Sequence, residues 1–243
     1  MRYHAEPAYV LHARRWRETS LMVEVLSAHH GRLGLVARGV TGPRRQALRA
    51  ALQPMQHIRL EATQRGELAW LNAAEQIDSA PLLVGEASMA GFYLGELVLR
   101  LVPRQDPQPQ LYALYGTVRE RLRRAEPLAW TLRRFERDLL EALGVGFDFS
   151  VDAEGEPLDP AGRYRIEPEH GLRRVRDQRA GERSDASGRG LMALAADTLP
   201  ESEDLPGLRR ALREAISHHL GGRGPKSWEL MGALGRISPQ VSL

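Results

Sequence analysis

The 243-residue sequence predicts an α+β protein: a small antiparallel β-barrel over residues 1–79, then a mainly α-helical domain over 80–243 with a small β-hairpin insertion at about 145–190. Three observations predict it. Apolar residues alternate through the first segment with the period of half-buried strands. After Asp78-Ser79-Ala80-Pro81 the period lengthens to that of a helix. Residues 145–190 then break the helical period with polar, Gly-, Pro- and Asp-containing runs that mark turns.

The strands follow in order. Ala8 to His12 begins the first, and Ser20 to Leu26 is the second. His30-Gly31 turns the chain into a third, Arg32 to Arg38, in which Leu33 and Leu35 share one face and Arg32, Val36 and Arg38 the other. Gly39, Gly42 and Pro43 interrupt the pattern over 39–53. Pro54 to Thr63 and Glu67 to Ile77 are two further strands around a turn at Gln64-Arg65-Gly66. Five strands with the longest connection between the third and fourth satisfy an OB-fold barrel, and another small antiparallel barrel fits the same count.

In the helical part, Pro81 suits a first turn, and Ala90, Leu94, Leu97 and Leu101 line one face. Pro103 and Pro107 stop that helix. A second begins at Pro109, with Leu111, Tyr115, Val118 and Leu122 in register. A third begins near Glu126-Pro127, carries Leu128, Leu132, Phe135, Leu139 and Leu143, and is capped by Gly144. Val145 to Phe149 and Tyr164 to Ile166 read as strands, and Asp177 to Gly190 as a loop. Helix returns near Gly190 to Ala196. It returns again through Leu205, Leu208, Leu212, Ile216 and Leu220 until Gly221-Gly222, and a short last helix holds Trp228 and Leu230.

Composition excludes several functions. No apolar stretch reaches the roughly 18 to 20 residues that span a membrane, and Met1 to Pro7 has no secretory apolar core. A bacterial cytoplasmic, nucleoid-associated location is expected, with no membrane partner. The chain has no cysteine, so disulfides, cysteine zinc sites and thiol nucleophiles are excluded. None of the eight histidines stands at zinc-ligand spacing, and no G-x-S-x-G elbow exists. A Walker A loop at Gly221 to Ser227 would need glycine where Pro225 stands, and proline has no N–H to offer a phosphate. No catalytic residue, cofactor or metal is therefore expected.

The charge distribution points to a polyanion. The net charge is +3, but residues 1–50 hold 9 Arg against 3 Glu. A GC-rich genome accounts for most of the preference for Arg over Lys, and guanidinium groups still suit phosphate. Arg14, Arg15 and Arg17 surround Trp16 where the first strand enters its connection. Arg32 and Arg38 lie on the third strand, and Arg44, Arg45 and Arg49 on the insertion after it. These nine residues are the expected DNA-binding set. Trp16 admits two readings: it stacks on a base, or it packs on the barrel end.

Several blocks resemble the RecO family of bacterial recombination mediators. Tyr-Val-Leu-His-Ala-Arg-Arg-Trp-Arg-Glu-Thr-Ser-Leu-Met at 9–22 is similar to its opening strand and first turn. Gly31 to Gly39 resembles its third strand, and Leu48 to Pro54 its Leu-x-x-x-Leu-Gln-Pro. Leu132-Arg133-Arg134-Phe135-Glu136 and Leu143 to Gly146 resemble its helical core. The order and spacing run through nearly the whole chain.

The resemblance implies an N-terminal OB domain and a helical C-terminal domain, without ATP. It implies binding to single- and double-stranded DNA and annealing of complementary strands. It also implies partnership with RecR and with the acidic tail of single-stranded DNA-binding protein (SSB), and help in loading RecA. The family's tail site includes the first Arg of Leu-Arg-Arg-Phe, here Arg133, which could instead be a helix-surface residue paired with Glu136. Some relatives carry a four-cysteine zinc site near residues 147–175, and the absence of cysteine predicts none here. A non-catalytic adaptor whose barrel binds peptides is the alternative function.

Overall fold

A computed structural model describes residues 1–40, 42, 45–175 and 185–230. They form two compact units: one joins residues 1–124 to the segment beginning at Pro225, and the other comprises Ala125–Gly224.

The first unit is built on five strands: β1 (Arg2–Trp16), β2 (Ser20–Ser27), β3 (Gly31–Ala37), β4 (His57–Arg65) and β5 (Leu68–Asp78), with α1 (Gln46–Ala51) between β3 and β4. They close into a barrel in the order β1-β2-β3-β5-β4, the OB arrangement. β1 is longer than its apolar run predicts because two neighbours share it. Its first half pairs with β4 and its second with β2. Register shifts at Tyr3/Glu6 and Val10/His12, with a positive φ at Ala5, bend it between them. Val10, Val23, Val25, Leu33, Leu35, Leu52, Ile58 and Leu60 fill the interior. Each such side chain contributes about 1.5–3 kcal/mol by leaving water.

Two helices belong with the barrel, α2 (Glu86–Leu101) and α3 (Pro109–Arg123). The boundary expected at 79/80 therefore marks where strands give way to helices, while compactness divides the chain at 124/125. The contacts explain this. A Cβ on Gly95 would stand 2.7 Å from the Leu11 carbonyl oxygen, so only glycine lets α2 lie this close to β1. Arg119 of α3 is buried and donates to the Met55 carbonyl (2.7 Å) and to Asp78 Oδ1 (2.6 Å). Its guanidinium lies 4.9 Å from the Tyr9 ring centre, and His57 stacks on the same ring at 4.4 Å. Pro81 is not in a first turn. Residues 79–84 are irregular, and Ser88 ties them down by donating to the Leu83 carbonyl. The chain returns to this unit at 226–230, a helical turn whose Lys226 and Ser227 N–H groups donate to the Glu96 carboxylate at 2.7 and 2.9 Å.

The second unit contains α4 (Leu128–Ala142), the sheet β7-β6-β8 (Gly171–Arg174, Arg163–Glu167, Ala186–Ser187), α5 (Gly188–Ala195) and α6 (Leu205–His219). Phe135, Leu139, Ile166, Leu191, Leu208 and Leu212 are buried in it. The strand expected at 145–149 does not form. Gly144, at φ +74°, donates to the Glu141 carbonyl, and Val145 donates to that of Leu140. This satisfies the end of α4 and turns the chain away. Asp148 Oδ1 then accepts from the backbone N–H (2.8 Å) and hydroxyl (2.5 Å) of Ser150, a local turn. The hairpin is instead β6–β7. Of the loop expected at 177–190, residues 177–184 lie outside the described residues, while 186–190 form β8 and the start of α5.

Candidate nucleic-acid interface

Alternation decides which barrel side chains face outward. Ala13, Val23, Leu35 and Ala69 pack on the core, so their neighbours Arg14, Met22, Val36 and Trp70 point away from it. The pairings Arg14↔Met22, Met22↔Val36 and Val36↔Trp70 align those four in one row across β1, β2, β3 and β5. Trp16 lies two residues beyond Arg14 on the same face, and Arg38 follows the last residue of β3.

Two arginine–tryptophan pairs stand there. The Arg38 guanidinium lies over the Trp70 ring, 3.7 Å from its centre, and Arg14 lies 6.0 Å from the Trp16 ring centre. Arg14 also reaches Met22 Sδ at 3.2 Å and covers it. Trp16 and Trp70 are both partly exposed, and Arg14 and Arg38 are exposed.

The two basic clusters of the sequence converge at this end of the barrel. The Val40 N–H donates to the Thr19 carbonyl at 2.8 Å, which draws the connection after β3 onto the 17–19 turn. Arg49 braces it by donating to the Val40 and Gly42 carbonyls, both at 3.1 Å. Arg15, Arg17 and Arg45 are exposed nearby in the chain, Arg17 within the turn at φ +56°. Arg44 lies outside the described residues. Thus Arg14, Arg15, Trp16, Arg17, Arg38 and Arg45 are brought to one end, while Arg49 acts as an internal strut.

Arg32 is not part of that set, contrary to expectation. It pairs with Glu24 at 2.8 Å and donates through Nε to the Val102 carbonyl at 2.9 Å. Arg104 pairs with the same carboxylate and lies against Gly34, and Gln105 donates to the Arg32 carbonyl. The α2–α3 linker therefore covers the Gly31–Gly34 half of the β2–β3 face. Both guanidinium groups neutralise Glu24, an acid that would repel phosphate.

Arg133 also departs from expectation. It is 4 % exposed and holds Glu136, itself fully buried, at 2.5 Å one helical turn away. A buried ion pair cannot present its guanidinium to a peptide carboxylate at the surface. The neighbouring Arg134 and Arg137 both reach Asp197; burial raises its carboxyl, but the two arginines outweigh that and hold it below the usual range.

Sequence reasoning missed Trp70 and Arg104. The Ala69-inward, Trp70-outward alternation carried a signal for the first. Nothing local marked the second, 72 positions beyond Arg32 in the chain. Among the described residues no group of three His, Asp or Glu is placed to hold a metal ion, and no helix is long and apolar enough to cross a membrane.

Comparison with known proteins bears on both units. Residues 1–80 match the family model of the recombination protein O N-terminal domain, and residues 83–229 that of its C-terminal domain. The chain is 58% identical over 233 residues to the DNA repair protein RecO of Xanthomonas oryzae pv. oryzae, covering 95% of this chain and 97% of that one. It is 56% identical over the same shares to the RecO of Xanthomonas euvesicatoria pv. vesicatoria. It is 57% identical over 230 residues to that of Stenotrophomonas maltophilia, covering 94% and 96%.

Proposed function

The chain belongs to the RecO family of DNA repair and recombination proteins, and on that footing we propose that it is a non-catalytic mediator that binds DNA through the loop end of its barrel. It binds single and double strands there and anneals complementary strands. With RecR and the acidic tail of SSB, it helps RecA load onto SSB-coated single strands. The observation that carries the DNA reading is the convergence of Arg14, Arg15, Arg17, Arg38 and Arg45, with Trp16, at one end of the barrel, where the outward Glu24 of β2 is already neutralised. Annealing fits such a surface because it needs charge compensation of two phosphate backbones and no bond chemistry.

The resemblance assigns the acidic tail to the helical domain. There Arg133, held by Glu136, contributes as a positioning residue that keeps α4 packed rather than as the contact itself.

A salt titration of binding to a single-stranded oligonucleotide tests the DNA reading. Each phosphate contact contributes about 0.7 to the log–log slope on single strands, so Arg17→Ala with Arg45→Ala should flatten it by about 1.4. An unchanged slope removes both from the interface. A chain that binds an acidic peptide but shows no salt-dependent DNA binding is the peptide adaptor instead.

A further inference from the structure

Arg38 directly follows β3 and Trp70 stands in β5, the strands that meet as the parallel pair of the barrel, and their stacking is the tightest cation–π contact among the described residues of the first unit. Trp70 adjoins the outward Val36 of β3 yet stays partly exposed. Its ring faces away from the core, its neighbour Ala69 supplies the inward contact, and the guanidinium above it is exposed. A guanidinium layered on an indole presents a flat, cationic surface of one aromatic thickness. Such a surface stacks a nucleobase and meets its phosphate at once. Arg14 and Trp16 make a looser pair on β1, with the guanidinium 6.0 Å from the ring centre.

We propose that Trp70 with Arg38 forms a base-stacking station for single-stranded nucleic acid, and that Trp16 with Arg14 forms a second one across the same face. This rests on the reading that the barrel binds DNA, and it specifies which form of DNA the face selects. Three strand spacings of ~4.8 Å and one residue pair along the strand place the two stations about 16 Å apart. A stacked strand rising ~3.4 Å per nucleotide covers that span in about five nucleotides, near the low end of OB site sizes. The strand runs from β1 toward β5, across the barrel strands. It cannot run on toward Gly34, where Arg104 and the α2–α3 linker lie. A duplex keeps its base faces inside the stack, so it meets the arginines and leaves the stations empty.

The test compares Trp70→Ala, Trp16→Ala, Trp70→Phe and the unmodified chain on a single-stranded oligonucleotide and on a duplex of the same length. Each alanine should weaken single-strand binding roughly five- to 150-fold. It should leave duplex affinity and both salt slopes unchanged, since no phosphate contact is lost. Trp70→Phe keeps an aromatic face and should recover most of the loss, which separates stacking from misfolding. Equal weakening on both DNA forms, no weakening on either, or no recovery with phenylalanine would overturn the proposal. The underlying DNA reading fails in a different way, by the unmodified chain showing no salt-dependent binding to either form.

Discussion

Replacing Arg133 by alanine removes the guanidinium that holds Glu136, a carboxylate with no exposed surface. Breaking a buried pair from one side costs about 3–5 kcal/mol, because the remaining charge keeps its desolvation penalty and loses the Arg133 contact. For a chain of this size, that corresponds to a fall in melting temperature on the order of 10 °C. Removing both charges together should cost less than the two single substitutions summed, since Arg133→Met with Glu136→Leu replaces this pair by apolar volume. Urea unfolding followed by far-ultraviolet circular dichroism gives the four stabilities of the double-mutant cycle. The expected coupling exceeds ~2 kcal/mol. A single substitution costing under ~1 kcal/mol, with a coupling near zero, would mean that the pair is not buried in solution. It would return Arg133 to the list of surface contacts.

Two further predictions concern the first unit. Gly95→Val places a side chain where a Cβ already meets the Leu11 carbonyl at 2.7 Å, and overpacking of this kind costs about 1–3 kcal/mol by the same unfolding assay. A stability equal to that of the unmodified chain would show that α2 can lift off β1 at no cost. The Tyr9 network adds a pH dependence. Burial and the Arg119 charge push the His57 imidazole down, against Asp78, so folding favours its neutral form. A depressed folded value gives stability that is full above the unfolded value of about 6.5 and is lost as pH falls through the folded one. Burial raises the Asp78 carboxyl, but Arg119, His57 and Arg123 outweigh it and hold the group below its ordinary range. Its contribution therefore disappears only below about pH 4. His57→Phe should flatten the stability profile as pH falls below roughly 6.5 and leave the more acidic limb, below about pH 4, in place. Loss of both limbs together would contradict the separate assignments.

The barrel was legible because its information is local. Alternation along β2 and β3, the two short turns and the long third connection are all written in consecutive residues. The helix period gave α3, α4 and α6 for the same reason, and Gly144 marked the end of α4. What the sequence concealed depends on partners far along the chain. Arg32 looks like an outward cation until Glu24 and Arg104 are brought to it. Trp70 gains its meaning only when β5 lies parallel to β3, a pairing of residues 34 positions apart. Arg133 and Glu136 looked like an exposed i,i+3 pair because α4 carries polar residues on the side it buries. Val145 to Phe149 had strand-like residues but no neighbouring strand to pair with, and the turn at Asp148 and Ser150 took the backbone instead.

The return of residues 226–230 to Glu96 has a bearing on how the protein is made. About 100 residues, Ala125–Gly224, separate α3 from that segment. At roughly 5–20 residues per second, the ribosome needs about 5–20 s to deliver them. During that interval the Glu96 carboxylate lacks the Lys226 and Ser227 N–H donors and Tyr93 lacks Trp228, which finally lies 6.3 Å from its ring centre. The nascent barrel and its two helices must wait for the last part of the chain before their packing is complete. A ribosome stalled inside the second unit would hold a barrel still missing its closing segment.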